Sequence, residues 1–377
     1  MRGLIARIYE QLIILGWVKS RKKTFYVSRV RNKAKWVYVS YIPEVLCDVL
    51  SEKEMRSHQN LREQIAMVKC LNELGYNVFV QNYSTKPIFP NINVAIIFGL
   101  EPVFEEACMH YPEAKKIYYA TGAYYEFQNR QVRMMTDYVN KKCQSRLPYY
   151  RIVRPHNSAE IADAILQIGS LYTVQTYPQN LQKKITCIHQ STQEFKEYTI
   201  QYAEENEYLF VASAGNVLKG AFLLLEYFSC HPELTLHWVG PMEDDFKHAV
   251  SSYMKENIKT YGFLDWNSET MHNIVNRCNY IIYPSGTEGT PGAVLCAMKC
   301  GLIPIVSKPA AFDEIETYGI IINDYKAESI GKSIATLSTL KREEILERKR
   351  KCSEFIQENY TLDQYSKELM MYFMKLS

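Results

Sequence analysis

One stretch of the chain combines a single carboxylate with several glycines in a short turn. Residues 280–283 are an apolar run, and the next nine residues contain Glu288 together with Gly286, Gly289 and Gly292. Free backbone N–H groups at such a turn, next to the start of a helix, attract an anionic ligand. The carboxylate beside them can accept hydrogen bonds from hydroxyl groups. These groups together predict a site for a molecule that carries phosphate and hydroxyls, as a nucleotide sugar does.

The turn leads into a short helix whose two ends are marked in the sequence. Thr290 is suited to cap the helix, Pro291 to occupy its first position, and Gly301 to be the left-handed residue that ends it. Residues 303–306 are a second apolar run. We therefore predict a strand, a turn, a helix and a strand, with Glu288 at the carboxyl end of the first strand.

A second turn, also at the end of a predicted strand, contains Gly215 and Lys219. Ligands of open α/β sheets bind at the carboxyl ends of the strands. The backbone of Gly215 and the ammonium of Lys219 are therefore candidates to hold a diphosphate. A surface lysine after a strand is common, so this prediction depends on the turn lying near Glu288 in the folded chain.

The elements that would position these turns alternate along the chain in two series. Apolar runs rich in β-branched and aromatic residues, separated by helical patterns, are typical of parallel strands that are covered on both faces. We predict an α/β fold with two Rossmann-like domains that face a central cleft. The apolar runs are residues 36–42, 76–80, 94–98, 116–120, 161–166 and 185–188 in the first series, and residues 208–212, 234–240, 258–262, 280–283, 303–306 and 318–322 in the second.

The end of the chain is predicted to be helical. Thr361 and Gln364 have the spacing of a capping box at the start of a final helix. We expect the C-terminal helices to cross back to the first domain. The chain then divides into a basic amphipathic segment at residues 1–34, an N-terminal acceptor domain at 35–190, a C-terminal donor domain at 191–358 and a C-terminal helix at 359–377.

The formal net charge of +3 is unevenly distributed. Residues 1–37 contain ten basic residues and one acidic residue, so the remainder of the chain is net acidic. This distribution argues against nucleic acid as a partner. Apolar residues recur at helical spacing in the first fifteen residues, but the run is shorter than the roughly 20 residues that span a bilayer. Residues 1–23 therefore either lie on an anionic membrane surface or pack on the protein itself.

The ten cysteines are scattered and include no C-x-x-C pair. This pattern indicates reduced thiols rather than a disulfide framework or a zinc site. The basic cluster follows the apolar part of the N-terminal segment, which is the reverse of a signal peptide. We therefore expect a cytoplasmic protein, held at the inner face of the cell membrane if the N-terminal segment binds lipid.

The motifs of the second half resemble those of the GT-B fold retaining glycosyltransferases of family 4. They are residues 214–220, 239–241 and 261–264, and residues 285–289 leading into 297–306. The first half matches only in the order of its elements. The resemblance implies a nucleotide-sugar donor bound by the second domain and a glycan or lipid-linked acceptor bound by the first. It also implies transfer with retention of anomeric configuration, in the synthesis of a surface polysaccharide.

The resemblance implies roles for individual residues as well. Glu288 would hydrogen-bond the donor sugar and is the candidate catalytic residue. No metal or other cofactor is expected, because helix dipoles and basic side chains offset the charge of the leaving diphosphate. Thr121 and Gly122 are candidate cleft residues because they follow an apolar strand of the first domain. The other candidate substrate-binding residues are Gly215, Asn216 and Lys219, then Phe263 near the base, and Gly289, Thr290, Pro291 and Gly292 at the phosphate.

Two positions depart from the family pattern. Cys296 stands where a second glutamate is expected eight residues after Glu288, and Asn216 stands where an arginine is frequent. No histidine follows the strand at residues 116–120, but the leaving phosphate can itself deprotonate the acceptor. Two other interpretations remain open: a catalytically inactive relative that binds nucleotide or glycan as a scaffold, and an epimerase of the same fold that acts on the nucleotide sugar.

Overall fold

A computed structural model describes residues 24–30, 34–47, 51, 54–55, 58–204, 206–310 and 312–376. Within this part of the chain the strands form two sheets, one for each predicted domain. The strands are β1 (Phe25–Ser28), β2 (Trp36–Tyr41), β3 (Asn77–Asn82), β4 (Val94–Gly99), β5 (Lys115–Ala120), β6 (Ala164–Ile168), β7 (Ile185–Ile188), β8 (Glu207–Val211), β9 (Thr235–Val239), β10 (Ile258–Thr260), β11 (Cys278–Tyr283), β12 (Ile303–Ser307) and β13 (Ile320–Ile322).

Helices connect the strands, and buried apolar side chains cover both faces of the first sheet. Single turns of 3-10 helix lie at Ser251–Tyr253 and Lys308–Ala310. The α-helices are α1 (Glu44–Cys47), α2 (Gln59–Glu73), α3 (Val103–His110), α4 (Tyr125–Cys143), α5 (Ser158–Ile161), α6 (Leu171–Gln175), α7 (Gln179–Gln182), α8 (Ala221–Phe228), α9 (Asp244–Ala249), α10 (Glu269–Arg277), α11 (Gly292–Lys299), α12 (Ile315–Tyr318), α13 (Ala327–Leu337), α14 (Arg342–Asn359) and α15 (Leu362–Met374).

The first sheet has the strand order β1-β3-β2-β4-β5-β6-β7. All its neighbouring strands are parallel except β1, which pairs with β3 in the antiparallel direction. Phe25 of β1 is fully buried and stacks on Phe79 at a ring distance of 5.4 Å. This edge strand lies within residues 1–34, which sequence analysis assigned to the N-terminal segment. The amphipathic helix predicted for residues 1–23 lies outside the described residues.

The second sheet is parallel throughout, with the order β10-β9-β8-β11-β12-β13. Strands β9, β11 and β12 are almost entirely buried, as expected for parallel strands with helices on both faces, whereas the edge strands β10 and β13 are partly exposed. The prediction of two α/β domains with parallel sheets is confirmed. β8 and β11 are neighbours in this order, so the turns that follow them lie at the same edge of the sheet.

Two helices tie the domains together. Helix α4 begins in the first domain, but its side chains Val132, Met135 and Val139 belong to the apolar core of the second. On the same helix, Tyr138 OH donates a hydrogen bond of 2.7 Å to Glu226. Helix α4 therefore spans the junction between the domains.

The C-terminal helix returns to the first domain. Tyr365, Leu369 and Phe373 of α15 are buried in the core on one face of the first sheet, where α15 packs on α2. The predicted return of the C-terminal chain is thus confirmed. The hydroxyl of Thr361 accepts a hydrogen bond of 3.1 Å from Gln364 N–H and caps the start of this helix. The second bond of the predicted capping box is not formed, because the side chain of Gln364 donates to Glu368 at 2.7 Å.

Some predicted boundaries are wrong. Helix α11 begins at Gly292, and Pro291 precedes it with ψ of 99° and no side-chain cap. The predicted cap by Thr290 is therefore one residue too early. The carbonyl of Thr290 instead accepts a hydrogen bond of 3.0 Å from Gln190 of the linker, which holds the chain extended there. Gly301, with φ of +86°, follows the last turn of the helix as predicted.

In two of the apolar runs the first residue belongs to a helix rather than to the predicted strand. Residues 158–161 form α5, and the strand of this run begins only at Ala164. Residues 315–318 likewise form α12, so the last strand begins at Ile320 rather than at 318. In both places a single helical turn directly precedes the strand, and apolar composition alone does not separate the two.

Candidate functional site

Two turns of the second domain meet because the strands before them are neighbours. β8 and β11 run parallel, and their carboxyl ends lead into the turns at residues 213–219 and 284–292. The N–H of Gly286 donates a hydrogen bond of 2.7 Å to the carbonyl of Leu218, which joins the turns directly. The structure therefore brings Lys219 and Glu288 together at one edge of the sheet.

Glu288 is the centre of a buried polar cluster. Its Oε1 atom forms an ion pair with the ammonium of Lys219 and accepts hydrogen bonds from Tyr283 OH at 3.0 Å and Ser285 Oγ at 2.9 Å. The side chains of Lys219 and Glu288 are only 9% and 13% exposed. Within the described residues all these contacts fall on Oε1. Oε2 is therefore the oxygen that remains for a ligand hydroxyl.

Tyr283 supports both members of the ion pair. The ammonium nitrogen of Lys219 lies 5.9 Å from the centre of the Tyr283 ring, a distance at which the ring face attracts a cation. Burial raises the pKa of the Tyr283 hydroxyl, and the adjacent charge of Glu288 raises it further. Tyr283 therefore stays neutral and donates its proton to the carboxylate.

The turn before Lys219 requires a glycine. Gly215 has φ of +93°, a left-handed backbone, and a Cβ there would lie 2.9 Å from Cγ of Arg151 in the first domain. The carboxylate of Glu243 accepts hydrogen bonds from the N–H groups of Gly215 and Asn216, the latter at 3.1 Å. These two amides are thus already bound by a side chain of the same protein.

Asn216 has a structural position. Its side chain is fully buried, where Nδ2 donates to the carbonyl of Pro241 at 3.0 Å and Oδ1 accepts from the N–H of Glu243 at 3.0 Å. These bonds join the turn after β8 to the turn after β9. Of the three residues predicted at this turn, Lys219 therefore has its charge in the polar cluster, whereas the N–H of Gly215 and the side-chain amide of Asn216 are used within the fold.

The glycine-rich turn packs against the first domain. A Cβ on Gly289 would lie 2.5 Å from the carbonyl oxygens of both Thr121 and Ile168, so only glycine fits there. Pro291 and Gly292 continue directly into α11. The turn therefore lies at the junction between the two domains.

Thr121 and Gly122 line a cavity of about 120 Å³ at the end of β5. Inside it, Glu101 accepts a hydrogen bond of 2.9 Å from Tyr118 OH and lies 3.8 Å from Nε2 of His156. Within the described chain, Nδ1 of His156 is buried without a hydrogen-bond partner. The cavity combines aromatic walls with a few polar groups, as small-molecule sites commonly do.

Two other positions singled out by sequence differ in exposure. Phe263 follows β10, and its side chain is 70% exposed. Cys296 is 2% exposed and belongs to the core of the second domain. Burial raises the pKa of its thiol to about 11. A buried neutral thiol offers a ligand no carboxylate at this position.

Several residues of the site were not predicted. Tyr283 and Ser285 lie in the same short stretch as Glu288. Their nearness to that carboxylate in the sequence is the signal that could have identified them. Glu243 and Arg151 come from loops with no motif or periodicity to mark them. Their proximity to Gly215 depends on how three turns and two domains pack together.

Two kinds of feature are absent from the described residues. No group of three or more His, Cys, Asp or Glu side chains is arranged to hold a metal ion among them. In the same part of the chain, no helix has both the length and the apolar composition needed to cross a membrane.

The second domain matches a known protein family. Residues 191–358 fit the family model described as glycosyl transferases group 1. The match covers less than half of the 377 residues of the chain. The polar cluster of Lys219 and Glu288 lies inside this range, so glycosyl transfer is the general activity that the domain indicates. The comparison with curated proteins found no match.

Solved structures of the same fold cover nearly the whole chain. Sucrose-phosphate synthase from Thermosynechococcus elongatus is similar with a TM-score of 0.63 and 12% identity, over 91% of this chain and 99% of that one. A glycosyltransferase from Rickettsia africae ESF-5 gives 0.57 and 13%, over 92% and 99%. Anabaena HepE, solved with UDP and glucose, gives 0.55 and 10%, over 90% and 99%. At these identities the likeness shows the fold, two Rossmann-like domains in the GT-B arrangement.

Proposed function

We propose that this protein transfers a sugar from a nucleotide-sugar donor to a glycan or lipid-linked glycan, with retention of anomeric configuration, in surface polysaccharide synthesis. The observation that carries the proposal is the buried ion pair of Lys219 and Glu288 at the ends of β8 and β11. It lies in a group 1 glycosyltransferase domain, and Anabaena HepE of the same fold was solved with UDP-glucose.

The ion pair offers a cation for the diphosphate of such a donor and a carboxylate for its sugar. The ammonium of Lys219 has three N–H donors, of which Glu288 takes one, and the others can bind phosphate oxygens. Oε2 of Glu288 accepts a hydroxyl of the donor sugar. Both side chains are largely shielded from water, so these interactions are stronger than they would be at an exposed surface.

Transfer requires no dedicated base in this arrangement. The bond between the anomeric carbon and the phosphate oxygen breaks, and the acceptor oxygen bonds to the same face of that carbon. The proton of the acceptor hydroxyl moves to the leaving diphosphate. Lys219 stabilises the negative charge that develops on the leaving group, with no metal ion in the step. The acceptor occupies the first-domain cavity beside Thr121, which faces Gly289 of the second domain.

The test is donor turnover across a panel of nucleotide sugars. We expect release of a nucleoside diphosphate from one class of donor, and a transferred sugar whose anomeric proton shows the donor's configuration by NMR. Glu288→Ala should abolish this release, whereas Glu256→Ala, at an exposed position, is the matched control. Equal turnover in the Glu288→Ala variant and the wild type would disprove the proposed role of Glu288.

A non-catalytic scaffold is the second candidate. It is favoured by the burial of Cys296 and by the carboxylate of Glu243 on the amides of Gly215 and Asn216, since both reduce the contacts open to a donor. A scaffold would bind a nucleotide without turning it over. An epimerase would instead change the sugar of the donor without any acceptor, and product analysis in the same panel identifies that outcome.

The N-terminal segment completes the proposal. In the cytoplasm its basic residues would hold the enzyme at the anionic inner face of the membrane, where a lipid-linked acceptor is found. Replacing the four basic residues of positions 19–23 by glutamine should reduce sedimentation of the full chain with vesicles that contain anionic lipid. Unchanged sedimentation would mean that the segment does not bind the membrane.

A further inference from the structure

Arg151 reaches the site of the second domain from a loop of the first. Its aliphatic carbons face Gly215, since a Cβ on that glycine would lie 2.9 Å from Cγ and 3.3 Å from Cδ of the arginine. Its charge also acts on Tyr283 and lowers the pKa of the hydroxyl against the larger effect of burial. Tyr283 bonds Glu288. The arginine therefore lies beside the turn that leads to Lys219 and close to the polar cluster.

The loop holds Arg151 in a defined place. Arg151 has φ of +70°, a left-handed conformation that costs a non-glycine residue roughly 1 kcal/mol or more and persists only where its surroundings enforce it. Gln128 of α4 donates a hydrogen bond of 2.8 Å to the carbonyl of Arg151. Tyr150 OH donates one of 3.0 Å to Asp245 in the second domain. The loop is thus attached to both domains on either side of the cleft.

The other polar groups at this turn each have at least one partner in the protein already. Glu243 occupies the N–H groups of Gly215 and Asn216, and Lys219 is paired with Glu288. The guanidinium of Arg151, in contrast, has no ion pair or hydrogen bond within the described chain, and the residue is exposed. A diphosphate carries more negative charge than one shared ammonium can offset.

We propose that Arg151 is the second cation of the diphosphate site, facing Lys219 across the cleft between the domains. A guanidinium binds phosphate oxygens with two parallel hydrogen bonds, which suits a residue that reads an anion from the opposite domain. The diphosphate then bridges the two domains, so donor binding favours the closed cleft. This inference rests on the proposed function, because it assigns the ligand of the same site.

Equilibrium binding to the full chain tests the assignment, with inorganic pyrophosphate, UDP, GDP and ADP as the probes. Arg151→Gln should weaken binding of pyrophosphate and of the preferred nucleotide by about tenfold or more, because a charge-assisted contact is lost. Arg151→Lys should recover part of this loss. Arg146→Gln, at an exposed position five residues earlier in the chain, should bind as the wild type does.

The salt dependence of binding separates direct contact from a structural effect. Loss of a phosphate contact should flatten the plot of log affinity against log salt concentration in Arg151→Gln, whereas a displaced loop would lower affinity without changing the slope. Thermal unfolding of the free variants controls for misfolding, and Arg151→Lys is the comparison if Arg151→Gln does not fold.

The outcomes distinguish the two proposals. If Lys219→Gln weakens binding but Arg151→Gln equals Arg146→Gln, the assignment of Arg151 is wrong and the proposed function stands. An unchanged salt slope in Arg151→Gln also overturns the assignment. If the wild type binds neither pyrophosphate nor any of the nucleotides, the proposed function and the assignment both fall.

Discussion

Glu288 and Glu63 are both buried carboxylates at the junction of the domains, but their surroundings differ. Glu288 has the ammonium of Lys219 beside it. Glu63, on α2, is 3% exposed and binds the N–H and the hydroxyl of Ser191 in the linker, the hydroxyl at 2.8 Å. No ion pair of Glu63 occurs within the described residues.

This difference distinguishes a site that can bind a ligand from a contact that fastens the linker to helix α2. At Glu288 a cation accompanies the carboxylate, so both charges are available for exchange with an anionic ligand. At Glu63 two hydrogen bonds do not compensate for burial, and the pKa of the carboxyl is raised to about 7. The same residue type therefore offers a paired charge at the cleft and is only about half ionised at pH 7 where it contacts the linker. Four measurements test or sharpen this comparison.

The largest effect is expected on transfer. Lys219→Gln removes the cation that would stabilise the leaving diphosphate, and we expect kcat to fall by about 100-fold or more. Lys255→Gln is the matched control, because Lys255 is exposed. The measurement is release of nucleoside diphosphate at saturating donor. A normal kcat in Lys219→Gln would show that the ion pair is structural only.

The next effect concerns stability at the ion pair. Glu288→Ala leaves the ammonium of Lys219 buried without its partner, which we expect to lower the free energy of unfolding by about 3 kcal/mol. The double variant Lys219→Met with Glu288→Leu removes both charges and should lose less. Denaturant unfolding at pH 7 measures both variants. A double variant less stable than the single one would contradict the buried ion pair as the cause.

The third effect depends on pH at Glu63. Since the folded pKa is raised from 4.5 to about 7, the folded protein holds a proton that the unfolded chain releases. The free energy of unfolding should therefore fall as pH rises from about 4.5 to 7. Glu63→Gln keeps the acceptor oxygen for Ser191 and should remove this fall, which is at most about 3 kcal/mol. Unfolding curves at pH 5 and pH 8 provide the comparison; an identical pH dependence in both proteins would contradict it.

The smallest effect is expected at His189, two residues before Ser191. His189 and Glu368 of α15 form a pair with Nδ1 and Oε1 2.8 Å apart. The hydrogen bond to Glu368 raises the pKa of His189. Burial acts to raise the pKa of Glu368, but the bonds from His189 outweigh it and lower that pKa.

The stability from this pair should be greatest between about pH 4.5 and 6.5. It is lost as pH rises through the folded pKa of His189 and as pH falls through that of Glu368. His189→Gln should cost no more than about 1 kcal/mol at pH 5.5 because the imidazole is partly exposed, and less at pH 8. A cost that does not vary with pH would exclude the charged pair.

The parts that sequence predicted share one property: they lie on regular elements or directly at their ends. Lys219 and Glu288 follow buried strands of a parallel sheet, so their meeting follows once β8 and β11 are neighbours. Arg151 belongs to an irregular loop and Glu243 directly precedes the short helix α9, and nothing local marks their approach to Gly215. Strand β1 was not predicted either, because its four residues lie within a longer segment whose basic residues dominate the pattern.

The burial of α4 in the second domain limits how this protein can be divided. Tyr138 of that helix packs edge-on against Phe222 at a ring distance of 5.9 Å, and α15 contributes to the first-domain core from the far end of the chain. A fragment of residues 191–358, the range of the family match, would expose the face that α4 covers. A fragment cut at the limits of the family match would therefore lack part of the packing that covers its core.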